Sequence, residues 1–485
     1  MLLGEMAIVF ASGVLVYVLI SRTAGPELLG HYSLALSWVT LFQAFAGFGM
    51  AEWVMREVGR APADGGPVGE ALALGGATSL VASLVMVAAA SFWDYAPEVR
   101  RAIVYGALAP PAFTVSQVCR GAFVARGRSQ HAMAIRVLEF FAIVPANAIQ
   151  IVRGAPVSTL IATVAVGRIL GAVASLLLLR VHALRIPLPR RLPVWGRLGV
   201  VAPFAVSQAL GLLATNMNLI LLSAWASGEV LGYYGGAAKL VDVLLLAPAV
   251  MGTFLLPRLA EATARVAAGG PAAAGSDAAL RTWRHAFRGF FTVGILACAG
   301  IALFAGFVLR VVYGPRLEPA APLLAGLMLY CVLVFADSMT SVVLKATDHQ
   351  RADVLLFSVN PLLNAVLDLV WIPRFGAPGA VAASIVAVLA SLSLRYRFVG
   401  QRLGPPRWGA LAAGPLAAAA VGAAGIFALR GRVAEPILFA AWTFASALVL
   451  ARVTRVRIAG RGPRPTGAGD VSRRTDASAP EGSGS

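Results

Sequence analysis

Read along its length, the chain alternates long apolar runs with short polar connectors. The runs are about 20 residues each, the length that crosses ~30 Å of hydrocarbon at about 1.5 Å of helix rise per residue. Fourteen stand out, the first over 5–22, the sixth over 157–180, the seventh over 198–223, the twelfth over 379–398 and the last two over 408–429 and 435–452. They predict an all-α, polytopic membrane protein of about 14 transmembrane helices. Short patterns recur half a chain apart. Gly30-His31-Tyr32 after the first run matches Gly232-Tyr233-Tyr234 after the seventh, and Gly154-Ala155-Pro156 matches Gly376-Ala377-Pro378. Each pair keeps its orientation, so the repeat is parallel. The expected organisation is a six-helix lobe over 1–180, a basic connector over 181–197, a second six-helix lobe over 198–398, two extra helices over 399–457 and a disordered tail over 458–485.

Composition agrees with a lipid-embedded chain, since 59% of residues are hydrophobic, 13% are charged and the mean hydropathy is +0.80. The net charge is +18, and every basic residue except Lys239 and Lys345 is arginine. About 27 of the 40 Lys and Arg fall in segments that a single orientation places in the cytoplasm, against about 9 outside. That asymmetry predicts a multi-pass protein of the bacterial inner membrane with both termini cytoplasmic, and it accounts for the basic balance without nucleic acid as a partner. The first run begins almost at Met1 with no basic stretch before it, so it reads as a helix and not as a cleaved signal. Cys119, Cys298 and Cys331 lie in apolar runs without C-x-x-C spacing, and the five histidines show no metal spacing. No H-E-x-x-H, G-x-S-x-G, P-loop or D-x-D motif is present. No catalytic residue, metal or cofactor is therefore expected, and the chain does not read as an enzyme.

Ionisable residues inside the runs are the candidates for function, because each costs about 2.5–3.5 kcal/mol at a span centre on insertion scales. Arg168, near the middle of the sixth run, either lines a cavity and attracts a diphosphate or bonds backbone carbonyls of a neighbouring helix. Arg136 and Glu139, three apart in the fifth run, and Arg120 with Gln117 in the fourth, form either a cytoplasmic entry for a diphosphate or internal pairs tying helices together. Lys239 meets cargo or pairs with Asp242 three residues on. Near the seventh run's outer end, Ser207, Gly211, Thr215 and Asn218 recur at helical spacing and Asn216 adds another amide, a stripe suited to a hydroxyl-rich cargo or to close helix packing. In the second lobe Asn360, Asn364 and Asp368 recur every four residues, and Asp337 lies in the tenth run. Asp242, Asp337 and Asp368 are the candidates for an ion-coupling carboxylate, with a structural hydrogen bond as the alternative.

Several patterns together resemble the polysaccharide and oligosaccharidyl-lipid flippases of the multidrug/oligosaccharidyl-lipid/polysaccharide exporter superfamily. They are Arg22-x-x-Gly25-Pro26-Glu27-x-x-Gly30-x-Tyr32, Gly47-x-Gly49 leading to Arg56-Glu57-x-x-Arg60, Gly228-Glu229-x-x-Gly232-x-Tyr234, Tyr313-Gly314-Pro315, and Asn360-x-x-x-Asn364 before Phe375-Gly376. The resemblance covers about residues 5–455. It implies two lobes rocking about a central cavity to carry an isoprenoid-diphosphate-linked glycan from the cytoplasmic to the periplasmic leaflet, with Arg22 and Arg56 as further cavity candidates. The partners it implies are that lipid-linked glycan, the bilayer and other envelope polysaccharide assembly proteins. A multidrug exporter of the same superfamily and a membrane glycan polymerase or ligase are the alternatives. The intramembrane arginines count against the first, and the short outer loops against the second.

Overall fold

A computed structural model describes residues 2–47, 49–61, 65–181, 210–211, 213–267, 272–403, 408–429 and 433–455. The predicted connector from residue 182 onward and the predicted tail lie outside the described residues. Within them the first lobe comprises α1 (Leu2–Thr23), α2 (Pro26–Gly47), α3 (Met50–Arg60), α4 (Gly66–Ser91), α5 (Pro97–Gly106), α6 (Ala109–Ala125), α7 (Ser129–Val152) and α8 (Val157–Val181). The second contains α9 (Leu213–Leu222), α10 (Gly228–Ala267), α11 (Ala272–Leu303), α12 (Ala305–Tyr313), a 3-10 turn (Pro315–Ala320), α13 (Ala321–Ala346), α14 (Gln350–Phe375) and α15 (Ala377–Leu403). α16 (Trp408–Leu429) and α17 (Glu435–Arg455) follow and pack on α11.

The all-helical, multi-pass architecture expected from the apolar runs is present. Among the described residues nine helical segments are long and apolar enough to cross a bilayer, and α11 with α12 makes a tenth if that bent pair is one span. Shorter apolar helices at Gly13–Thr23, Leu213–Leu222, Ala413–Leu429 and Glu435–Leu450 stand at the other four predicted positions. The ninth run departs from expectation, because it bends by 82° at Phe304 instead of crossing as one rod. At the bend the Phe304 and Phe307 rings pack at 5.4 and 5.5 Å from Phe439 on α17, and Gly300 and Gly306 lie on either side of it.

The lobes join mainly along α2 and α10, with smaller contacts from α1 to α10, α12 and the 3-10 turn. The crossing is set by glycine. A Cβ on Gly30 would strike the backbone of Gly228 and Gly232, and a Cβ on Gly232 would strike the Pro26 carbonyl. Backbones approach this closely in lipid only where side chains are missing, since no hydrophobic force drives apolar helices together there and packing must do the work. The recurring Gly-x-Tyr pattern thus marks the two sides of one contact. Tyr32 stacks edge-on to Tyr17 at 5.8 Å, and Trp38 donates to the Tyr95 hydroxyl, which bonds Ser223 of the other lobe at 2.9 Å. All these residues lie toward the end that the sequence assigns to the periplasm.

Toward the opposite end the cores part. One apolar cluster runs from Tyr17, Leu29 and Trp38 through Tyr234 and Leu317 into the second lobe, whereas Met50, Trp53, Val58, Val118, Phe123 and Leu179 form a separate cluster within the first. The molecule is closed at its expected outer end, and the inner part of the first lobe has its own core. Gly232→Ala is expected to overpack the crossing, at a cost of about 1–3 kcal/mol. It should lower the apparent melting temperature of the purified protein by several degrees, while Gly47→Ala, whose Cβ meets nothing within 4 Å, should not.

Candidate functional site

Among the described residues, three charged or polar constellations inside the helices hold sequence-predicted candidates, and a fourth network surrounds Arg395. The first is built on α6, α7 and α8. Arg136 and Glu139 are three residues apart on α7, so one turn brings the guanidinium onto the carboxylate, Nη1 to Oε2 at 2.8 Å. Arg168 of α8 reaches the same Oε2 from the neighbouring helix at 2.6 Å, and Ser116 Oγ of α6 donates to Oε1 at 3.3 Å. Arg136 Nη2 also donates to Gln117 Oε1 at 3.1 Å, and Arg120 donates to that same oxygen. The Phe113 ring lies 5.8 and 5.2 Å from the Arg136 and Arg168 guanidinium carbons. Glu139 is the hub, with 4% of its side chain exposed against 19% for Arg168. The bond that Arg168 makes to a neighbouring helix goes to this carboxylate and not to backbone carbonyls.

The second constellation lies at the seam. Lys239 Nζ is 3.4 Å from Asp242 Oδ2 and 5.5 Å from the centre of the Tyr17 ring, on an α1 that is glycine at position 13 where the lysine stem passes. The pairing expected of Lys239 and Asp242 is therefore made, and the ammonium also faces the other lobe. Tyr32 packs edge-on against Tyr17 beside the ammonium. Asn216 accepts from Thr40 Oγ1 of α2 at 3.1 Å, another contact across the seam.

The third constellation is in the second lobe. Asn218 leaves the stripe it shares in sequence with Asn216 and turns inward, donating to the Tyr234 hydroxyl at 2.9 Å and to Ser384 Oγ at 2.6 Å. Asn364 donates to Asn218 Oδ1 and, at 3.4 Å, to Asp368 Oδ2. Asp368 is fully buried, and among the described residues its Oδ1 has no hydrogen-bond partner. Burying a carboxylate without a compensating charge is costly. Among the described residues no group of three His, Cys, Asp or Glu is placed to hold a metal ion.

Asp337 belongs elsewhere. Its Oδ2 is 2.8 Å from Arg395 Nη1, and Arg395 Nη2 lies 2.9 Å from Asp353 Oδ1. Asp353 also accepts from Ser341 and stands 3.7 Å from Lys345. This network joins α13, α14 and α15 and balances its own charge, which makes Asp337 a partner of Arg395. Arg395 was missed from the sequence because it closes an apolar run and counts there as a loop charge. The signal was its register, since Ser384, Ser391 and Arg395 fall on one helical face. The candidates taken from family motifs sit at the ends. Arg22 bonds backbone carbonyls of α12, and Arg56, 41% exposed, pairs with the adjacent Glu57 at 3.1 Å. Neither is brought to the three constellations.

Removing one partner of a buried pair strands the other, at about 3–5 kcal/mol. Arg395→Ala is thus expected to lower abundance and thermal stability sharply, while the double change Arg395→Leu with Asp337→Asn recovers part of the loss. Equal melting temperatures for Arg395→Ala and the parent would refute the pinning role.

Residues 6–263 match the family described as "Polysaccharide biosynthesis protein". No curated protein matches the chain. Among solved structures, the lipid II flippase MurJ in an inward closed conformation is similar at 12% identity, over 94% of this chain and 98% of that one, with a TM-score of 0.74. A multidrug resistance MATE family transporter of the MOP superfamily, inward-facing, is similar at 15% identity over 82% and 95% of the two chains, with a TM-score of 0.62. A MOP superfamily transporter from Pyrococcus furiosus, described as having a binding pocket of reverse polarity, gives 16% identity, 82% and 92% coverage and a TM-score of 0.52. The fold is like that of these transporters, and the chain, matched over residues 6–263 of its 485, belongs to the polysaccharide biosynthesis protein family.

Proposed function

We propose that this protein is a flippase that moves an isoprenoid-diphosphate-linked oligosaccharide from the cytoplasmic to the periplasmic leaflet by alternating access, in cell-surface polysaccharide assembly. The observation that carries the reading is the cluster of Arg120, Arg136 and Arg168 around one carboxylate, Glu139, inside the spans of a lobe that meets its partner at the expected outer end. Sugar hydroxyls and a diphosphate dragged through hydrocarbon lose their partners at several kcal/mol each, and a polar, cationic interior removes most of that cost. Guanidinium groups suit phosphate oxygens because they offer paired donors in one plane. Lys239, over the Tyr17 ring, adds a positive group at the seam. A cationic drug would meet repulsion there, which disfavours the multidrug reading. The membrane potential, inside negative, assists an outgoing anion by about 2.3 kcal/mol per charge per 100 mV.

Asp368, with its unpartnered oxygen, is the coupling carboxylate in this proposal. Loading it with a cation or proton permits its burial, and unloading it favours a form in which water reaches it. The coupling would act through α14 and α15, which hold Asn364, Asp368 and Ser384.

The test is a leaflet assay in proteoliposomes, following whether a fluorescent diphosphate-linked oligosaccharide becomes accessible to an external sugar-modifying reagent. Movement that depends on the protein without change in glycan length is the expected result. Extrusion of a cationic dye with no movement of that lipid would overturn it. Arg168→Ala is expected to slow flipping by at least about tenfold at unchanged abundance, on the scale of one charge-assisted hydrogen bond. If adding Glu139→Gln restores the rate, Arg168 serves only as a partner for Glu139. Asp368→Asn should abolish the acceleration given by an imposed cation or proton gradient while leaving the response to membrane potential.

A further inference from the structure

α12 stops at Gly314, whose φ of +93° carries the chain out of the helix, and a helix end leaves its last four carbonyls without donors. Here the donors can be traced one by one. Arg310 O accepts from the Gly314 amide at 3.0 Å. Val312 O accepts from Arg22 Nε at 3.1 Å, and Val311 O accepts from Arg22 Nη2. Tyr313 O accepts from Ser21 Oγ at 2.9 Å. Three of the four carbonyls are thus capped by two consecutive residues of α1, which belongs to the other lobe.

The chemistry of the pairing is matched. A helix C-terminus is the negative end of its dipole, where a cation is stabilised and a planar guanidinium can serve two adjacent carbonyls at once. The side chains are also set for it, since Ser21 is fully buried and a Cβ at Gly314 would lie 3.6 Å from Arg22 Cγ. From the other direction, a Cβ on Gly25, just after α1, would lie 3.5 Å from Arg316 Nη1, just after α12. These contacts stand at the same end of the molecule as the Gly30 and Gly232 crossing. Any movement that parts the lobes there must pull Arg22 and Ser21 off the end of α12.

We infer that Ser21 and Arg22 form an inter-lobe latch, which holds the outer seam shut by capping α12 across the lobe boundary and releases when the seam opens. Arg22 acts as a gating residue, at a distance from the intramembrane arginine cluster. The latch requires no assumption about what the protein carries.

The test reads seam opening directly. The full chain, with Cys119, Cys298 and Cys331 replaced by alanine, carries a single cysteine either at Ser33, buried in the seam beside Gly235, or at Ser79, buried within the first lobe. Each is reconstituted in nanodiscs and labelled with a water-soluble maleimide, which reaches both faces. Arg22→Ala should raise the labelling rate at Ser33→Cys by about fivefold or more, the scale of losing hydrogen bonds from a charged donor, and leave Ser79→Cys unchanged. Arg22→Lys, with one ammonium for two carbonyls, and Ser21→Ala, with one bond removed, should give smaller increases. Unchanged labelling at Ser33→Cys in both Arg22→Ala and Ser21→Ala would overturn the latch. Equal acceleration at Ser33→Cys and Ser79→Cys would also overturn it, since it would mean that Arg22 holds the lobe together and not the seam.

Discussion

Inside hydrocarbon there is no water to complete an unfinished hydrogen bond, and this one constraint organises the molecule. It explains why the spans are helical, and why the charged side chains of two networks that enter them are found together. Glu139 draws in Arg136, Arg168 and Ser116, while Arg395 draws in Asp337 and Asp353. It also explains why a helix that ends within the protein, as α12 does, takes donors from another element. Among the described residues Asp368 Oδ1 is one of several buried polar atoms left without a partner, and the two amide atoms of Asn147 are others.

The two charged networks occupy related places. In the repeat read from the sequence, α6, α7 and α8 correspond to α13, α14 and α15, and these triplets hold the networks. Their polarity is opposite. In the first lobe arginines converge on a carboxylate, and in the second two carboxylates hold an arginine. The second arrangement balances its charge and pins three helices. The first places several guanidinium groups together, which suits an anionic cargo. A repeated scaffold has thus come to carry different chemistry in its two halves, with the second lobe's remaining carboxylate, Asp368, set apart in a separate polar cluster.

Between the halves, the seam combines the smallest side chains with directional bonds. Gly30 and Gly232 let α2 and α10 touch backbone to backbone, and Tyr17, Tyr32 and Lys239 fill the space beside them. Such a contact is either made or broken, because close-packed helices do not deform gradually. That property suits a protein that alternates between two forms.

The apolar runs alone determined the fold class, since a stretch of about 20 apolar residues has few stable forms in a bilayer other than a helix. The paired Gly-x-Tyr patterns likewise marked residues that structure brings together, and the spacing of Arg136 with Glu139 and of Lys239 with Asp242 announced pairs one helical turn apart. Contacts between helices were a different matter. That Arg168 meets Glu139, that Asn218 joins Asn364 and Ser384, and that Arg22 ends on α12 are facts of packing between residues from 29 to 290 positions apart. Periodicity reports which face of a helix a residue occupies, and it carries no information about which neighbour that face will meet. The bend at Phe304 was hidden for the same reason, because the contacts made there with Phe439 and Trp442 of α17 join residues more than 130 positions apart. Sequence fixed the helices and their polar faces through local geometry, and the tertiary structure decided the partners, because in lipid each buried polar group takes its partner from whichever helix packing brings within reach.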